Sequence, residues 1–207
     1  MKNTRSCPDP IRMPRDTNFS PVLVGYGANL PSDLGSPLET LSAGLAALDE
    51  AGLRVVARSR WYRTAAFPPG SGPDFVNGAC ALETALSPKE ILHTLHSVEA
   101  ELGRERRKRW GPRVCDFDLL AVGDAVLPDA EGVGRWMSLD PLEAGNRPAP
   151  SDLVLPHPRM TERAFVLAPL MDIAPDWRHP LTGQTVQDHF AALPEADRAD
   201  VEEIVRI

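Results

Sequence analysis

Val114 to Val122 (VCDFDLLAV) is the stretch on which the fold turns. Its residues read as a strand, and side chains two apart on a strand share a face, about 6.5–7 Å apart along the chain. Asp116 and Asp118 therefore point one way, and Phe117 points the other way, into a core. Upstream, Gly103 ends a helix that opens at Ser87-Pro88-Lys89-Glu90. Ser87 is its N-cap and Glu90 its third residue, which is a capping box. Ile91, Leu92, Leu95, Val98 and Leu102 give that helix one apolar face. Phe75 to Leu86 reads as another strand. Ala65 to Asp74 (AAFPPGSGPD) before it is a loop, because its prolines and glycines interrupt regular structure.

Further back, Leu53 to Thr64 (LRVVARSRWYRT) reads as one strand, with Val55, Ala57, Ser59 and Trp61 on one face. A helix precedes it, capped by Ser36, carrying Pro37 at its first position and closed by Ala51-Gly52. Leu38, Leu41, Leu45 and Leu48 keep the helical spacing. Pro21 to Asn29 is the first strand and ends in a Gly/Asn turn. The order β-α-β-β-α-β predicts an α+β fold, a ferredoxin-like sandwich with C-terminal additions. The additions are a proline- and glycine-rich insert at about 124–152, expected to be irregular, and short helices near Glu162 to Asp172 and Val186 to Leu193. Residues 1–20 hold six charged residues and three prolines but no apolar segment. They read as a poorly ordered extension and not as a secretory signal. Residues 21–207 form one domain, with Trp136 and Met137 of the insert expected to cover the site or form a contact surface.

Composition narrows the function. Of 207 residues, 43% are hydrophobic and 25% charged, which excludes general disorder. No apolar run approaches the roughly 18 residues of a membrane span. The formal charge is −7, yet Arg104 to Arg113 (RERRKRWGPR) carries six bases and one acid, so the remainder sums to −12. A basic loop on an acidic protein points to a small, highly charged anion more than to a long polyanion. Cys7, Cys80 and Cys115 are odd in number and far apart, as in a reducing compartment; the cytosol is expected.

Several constellations carry chemistry. Two carboxylates on one face of an apolar strand repel each other and lose hydration, so they call for a compensating charge. Mg2+, completed by substrate phosphates, is the natural one; two solvated acids on an exposed face are the alternative. The arginines upstream bind phosphate bidentately. Trp110-Gly111-Pro112 suggests that their loop folds down on something, where a plain solvated loop would carry no such ring. His157, held between Pro156 and Pro158, can donate to a phosphate oxygen, act as a general acid or be structural. His93 and His96 lie three apart on the second helix without an evident third ligand, which favours a plain helix face. Phe75 and Asn77 share a strand face. An amide beside a ring can read the edge of a flat heterocycle, and Phe165 is a candidate for a second ring; core packing is the alternative for each phenylalanine.

These pieces together resemble the 6-hydroxymethyl-7,8-dihydropterin pyrophosphokinase family of folate biosynthesis. The matching residues are Gly27-Ala-Asn29-Leu30, Tyr62-Arg63-Thr64 and Pro73-Asp74-Phe75-Val76-Asn77. Next come Glu99-x-x-Leu102-Gly103-Arg104-x-Arg106-x-x-Arg109-Trp110-Gly111-Pro112-Arg113-x-x-Asp116-x-Asp118 and Leu155-Pro156-His157-Pro158-x-Met160-x-x-Arg163-x-Phe165-Val166-Leu167. The resemblance implies transfer of pyrophosphate from ATP to the hydroxymethyl oxygen of a reduced pterin, releasing AMP. Asp116 and Asp118 would hold two Mg2+ ions. Arg104, Arg113, Asp118, His157 and Arg163 form the implied catalytic set. Glu99, Arg106 and Arg109, with His157 and Arg163, would bind ATP. Phe75 and Phe165 would sandwich the pterin, read by Asn77 and by backbone at Gly27, Thr64 and Ala65, with Trp110 and Phe67 closing over it. The implied partners are these two small molecules, with no nucleic acid and no membrane. Ala65-Ala66-Phe67 departs from the family pattern, where prolines and an aliphatic are frequent, and the insert is longer than in compact members. Three rivals make separable forecasts: a nucleic-acid module binds single strands in a salt-dependent way, an ordinary kinase releases ADP, and a structural protein binds no nucleotide.

Overall fold

The computed structural model describes residues 21–66, 70, 72–103, 113–140, 143 and 152–204. Strand β1 (Val22–Ala28) leads to helix α1 (Pro37–Glu50), then β2 (Arg54–Arg58), β3 (Tyr62–Thr64) and β4 (Phe75–Glu83). Helix α2 (Pro88–Glu101), β5 (Asp116–Val122) and α3 (Ala130–Met137) follow. A 3-10 turn (Met160–Glu162), α4 (Ala164–Ile173), α5 (Val186–Ala192), α6 (Glu195–Ala199) and the short β6 (Glu202–Glu203) complete the described chain. Both long helices start as their sequences dictate. Ser36 and Glu39 form a reciprocal capping box on α1, and Ser87 and Glu90 form one on α2. The chain leaves them through Gly52 at φ 84° and Gly103 at φ 89°, a left-handed conformation that glycine adopts without strain.

The sheet runs β5-β1-β4-β3-β6, with β2 paired to the other half of β4, and every pairing is antiparallel. Alternation along β1 divides two cores. Val22, Val24, Tyr26 and Ala28 meet Leu41, Leu45 and Leu48 of α1 and Ile91, Leu95 and Val98 of α2. Leu23, with Ala79, Ala81 and Leu120, meets Val166, Leu167, Leu170 and Ile173 of α4 and Val186 of α5. The C-terminal helices thus cover the second face of the sheet, giving a layer of helix on each side.

Three expectations are corrected. The strand foreseen over 53–64 is two strands broken at Ser59-Arg60-Trp61. Here the Arg60 N–H donates to the Asp172 carboxylate of α4 at 3.0 Å and leaves the ladder. A bulge between Val55 and Ala57 also resets the alternation, so Val56 and Ala57 both reach the α4 core while Trp61 faces the α1/α2 core. Strand β5 begins at Asp116, two residues later than expected. The insert is not wholly irregular: Asp129 caps α3 by accepting the Gly132 N–H at 2.7 Å. Two glycines within α3 hide it from a propensity argument.

Candidate active site

The register of β1 sets the site. Gly27 pairs with Asn77 of β4 on one side and Asp116 of β5 on the other, and Gly25 lies between Ala79 and Asp118. Two acids, two glycines and an amide therefore form a strip across the face that α4 only partly covers. Gly27 is required by a close approach: a Cβ there would stand 2.7 Å from Asn77 Oδ1. Asn77 is buried, and its Nδ2 donates to Thr64 Oγ1 at 2.8 Å, so the amide is pinned across the glycine. Phe75, two residues earlier on the same strand face, is half-buried, and Ala65 is exposed.

The acids are bordered by cations. Arg113 forms an ion pair with Asp116. His157 comes from the segment after the insert, and a bulge anchors it. The β1–β5 register slips between Leu23 and Val24, leaving Leu120 without a cross-strand partner, and the His157 N–H donates to the Leu120 carbonyl at 2.7 Å. The His157 Nδ1 accepts the Arg159 N–H at 3.1 Å, so the proton of the neutral ring resides on Nε2. Burial lowers the His157 pKa to about 4; the Asp118 carboxylate opposes this, and the Arg163 and Arg159 charges add to it. Burial also lowers Arg163, again with Asp118 opposing. Asp118, His157 and Arg163 are thereby one electrostatic group. The Arg163 guanidinium lies 5.6 Å from the centroid of the Phe165 ring, which is 38% exposed and so available to a ligand.

Glu99 is a buried residue near the end of α2. It is 1% exposed, and its Oε1 accepts the Phe117 N–H at 2.7 Å, serving the outer edge of β5 between the two acids. His93 is exposed and His96 half-buried on α2. Arg104, Arg106, Arg109, Trp110 and Phe67 lie outside the described residues. Sequence reasoning missed Arg159, which pairs with Glu162 and adds its charge beside His157 and Arg163. Its signal was a basic residue two positions beyond a histidine already singled out. It also gave Asn29 no role of its own, although that residue bonds to both flanking loops.

The donor set suits a hard divalent cation that a substrate completes. Asp116 and Asp118 supply carboxylate oxygens, while among the described residues no group of three His, Cys, Asp or Glu could form a full protein cage. Mg2+ keeps several waters and takes one or two carboxylates plus phosphate oxygens, so two acids fit it.

Comparison with known proteins gives the family. Residues 23–175 match the family described as 7,8-dihydro-6-hydroxymethylpterin-pyrophosphokinase (HPPK). The Methylorubrum extorquens protein named 2-amino-4-hydroxy-6-hydroxymethyldihydropteridine pyrophosphokinase is 40% identical over 173 residues, covering 82% of this chain and 91% of that protein. The Synechocystis sp. protein of the same name is 38% identical over 171 residues, covering 82% and 76%. That from Pseudomonas aeruginosa is 38% identical over 166 residues, covering 80% and 89%. Among solved structures, HPPK-DHPS in complex with substrates aligns with a TM-score of 0.58 at 12% identity, over 85% of this chain and 43% of that one. A Plasmodium falciparum HPPK-DHPS with pterin and p-hydroxybenzoate gives 0.59 at 12% identity, over 86% and 44%. This chain spans less than half the length of those two, and the likeness is one of fold. With a family match running from β1 through α4 and relatives near 40% identity along most of their length, the chain belongs to the 7,8-dihydro-6-hydroxymethylpterin-pyrophosphokinase family.

Proposed function

We propose that this chain transfers pyrophosphate from ATP to the hydroxymethyl oxygen of 6-hydroxymethyl-7,8-dihydropterin, giving AMP and the pterin diphosphate. The substrate oxygen attacks the β-phosphorus, the bond from that phosphorus to the α–β bridging oxygen breaks, AMP leaves with that oxygen, and the hydroxyl proton is lost. The observation that carries this proposal is the strip Asp116–Gly27–Asn77, with His157 and Arg163 beside Asp118. It offers anion-handling groups at one end and a pinned amide at the other, as a reaction joining a triphosphate to a flat heterocycle needs.

In this proposal Asp116 and Asp118 hold two Mg2+ ions, whose chemistry when bound is to offset charge on the phosphate oxygens. Asp118 takes the hydroxyl proton. Arg113 and Arg163 grip phosphate oxygens, and His157 donates from Nε2 as a neutral ring. Asn77 reads the pterin edge, with backbone at Gly27, Thr64 and Ala65 beside it, while Phe75 and Phe165 stack on its faces. Glu99 keeps the nucleotide-binding role that the family motif gives it, while its Oε1 holds the β5 backbone. Arg104, Arg106, Arg109, Trp110 and Phe67 keep the roles that the family motif gives them. The sheet order and its two crossover helices support the ferredoxin-like βαββαβ arrangement, with α4 to α6 as additions. Among the described residues Cys80 and Cys115 are buried thiols, which suits a reducing cytosol, and no described helix is long and apolar enough to cross a membrane.

The test is incubation of the protein with ATP, Mg2+ and the reduced pterin, followed by identification of the nucleotide product. AMP in step with pterin diphosphate is expected. ADP would assign ordinary kinase action and overturn the proposal.

A further inference from the structure

Asn29 follows β1 directly and is 3% exposed. Both polar atoms of its side chain are used. Oδ1 accepts the Arg113 N–H at 2.8 Å, and Nδ2 donates to the Pro73 carbonyl at 3.0 Å. The backbone N–H groups of Asn29 and Leu30 both donate to the Arg113 carbonyl, at 2.9 and 3.1 Å. The orientation of the amide is forced. An N–H can only donate, and proline has no N–H, so its backbone can only accept.

The two partners lead to opposite ends of the site. Two residues after Pro73 come Phe75 and then Asn77; three residues after Arg113 comes Asp116, which Arg113 also pairs. We infer that Asn29 is a positioning residue, a single buried amide that sets the spacing between the Arg113/Asp116 end and the Phe75/Asn77 end of the site. This inference rests on the pyrophosphokinase reading for its kinetic consequence. Asn29 touches neither substrate. It acts by holding two segments to the end of β1, and transfer between two bound molecules is sensitive to such spacing: a displacement of about 1 Å costs on the order of 100-fold.

Two substitutions separate the links. Asn29→Ala removes both. Asn29→Asp keeps the acceptor for the Arg113 N–H and sets a carboxylate oxygen against the Pro73 carbonyl, breaking that link alone. AMP release at saturating ATP and pterin is measured together with both KM values, the melting temperature and the amide exchange rate of Arg113. In Asn29→Ala, kcat is expected to fall about 10–100-fold, and the Arg113 amide to exchange faster. In Asn29→Asp the Arg113 amide stays protected, while KM for the pterin rises about tenfold and KM for ATP moves less than about twofold. A purely structural role would lower the melting temperature and leave kcat and both KM values in place, which would overturn the inference. An Arg113 amide that exchanges at the wild-type rate in Asn29→Ala would also overturn it. If Asn29→Ala fails to fold, Asn29→Asp decides alone, and a wild-type pterin KM there counts against the inference. A wild-type protein that makes no AMP refutes the functional reading instead, and amide exchange with pterin binding by fluorescence then decides the role of Asn29.

Discussion

Replacing Gly27 with alanine should damage pterin handling far more than it damages the fold. The backbone at Gly27 is ordinary for any residue, since its φ lies outside the left-handed range, so the effect is steric. The new Cβ would begin 2.7 Å from Asn77 Oδ1. Ordinary contact begins near 3.4 Å, so the amide must retreat by roughly 0.7 Å or turn. Turning breaks the 2.8 Å bond to Thr64 Oγ1, worth about 1 kcal/mol, and overpacking adds a cost of about 1–3 kcal/mol. A reading group displaced by most of an ångström should lower kcat/KM for the pterin about 10–100-fold, or about 1.4–2.8 kcal/mol of transition-state stabilisation. Gly25→Ala is the internal control. Its Cβ would meet Leu120 Cδ1 at 3.4 Å, an ordinary contact with the end of a flexible side chain. Steady-state AMP release over a pterin titration, with melting curves for both variants, measures the contrast. Wild-type kinetics in a folded Gly27→Ala protein would refute the claim that the Asn77 amide reads the substrate.

Three further outcomes are expected. Asp116→Ala and Asp118→Ala each abolish turnover while near-ultraviolet circular dichroism stays native, and full activity in either removes the metal assignment. Asp172→Ala removes the buried carboxylate from the Tyr62 hydroxyl and from Arg60, which keeps only Glu203, and destabilises the protein by about 2–3 kcal/mol in urea unfolding, less than for a fully buried pair because Arg60 is half-exposed. Acid should weaken the C-terminal segment. Burial lowers His179 from 6.5 to about 4 and also lowers His189, so as pH falls below 6.5 the unfolded chain takes up protons first. Their stabilisation is complete above pH 6.5 and declines toward pH 4, by at most about 1.4 kcal/mol per pH unit for each group. His179→Gln should flatten the pH dependence of the urea midpoint in that window, and an unchanged slope would dismiss this source.

The legible part of the fold was the part that local rules govern. Ser36, Ser87, Gly52 and Gly103 mark helix ends through caps and backbone freedom, which any reader of the chain can locate. Asp116 and Asp118 stand out because acids are costly in an apolar strand. The break at Arg60 was hidden because its cause lies 112 residues away, in the carboxylate of Asp172. No window of sequence contains both. The bond from Glu99 to the outer edge of β5 was hidden for a related reason, since its partner Phe117 lies 18 residues further along the chain. Asn29 was unassigned because its partners, Arg113 and Pro73, lie 84 and 44 residues away.

The division of labour between the two sheet faces follows from the same facts. The α1/α2 face is filled by large side chains, and even Gly78 is spoken for there: a Cβ would stand 2.2 Å from the Tyr26 ring. Chemistry has no room on that side. On the other face α4 covers Leu23, Ala79, Ala81 and Leu120, all apolar, while Asp116, Asp118, Gly27 and Asn77 occupy the neighbouring positions of the same three strands. The boundary between them is where the β5 bulge frees the Leu120 carbonyl, and the segment carrying His157 docks on that carbonyl. A polar strip inside a sheet persists only where something charged is brought to it. Here the brought groups are Arg113 from one segment and His157 with Arg163 from another. Deleting Leu120 would therefore make the β1–β5 ladder regular and unseat His157, while Asp116 and Asp118 keep their places opposite Gly27 and Gly25 on the open face.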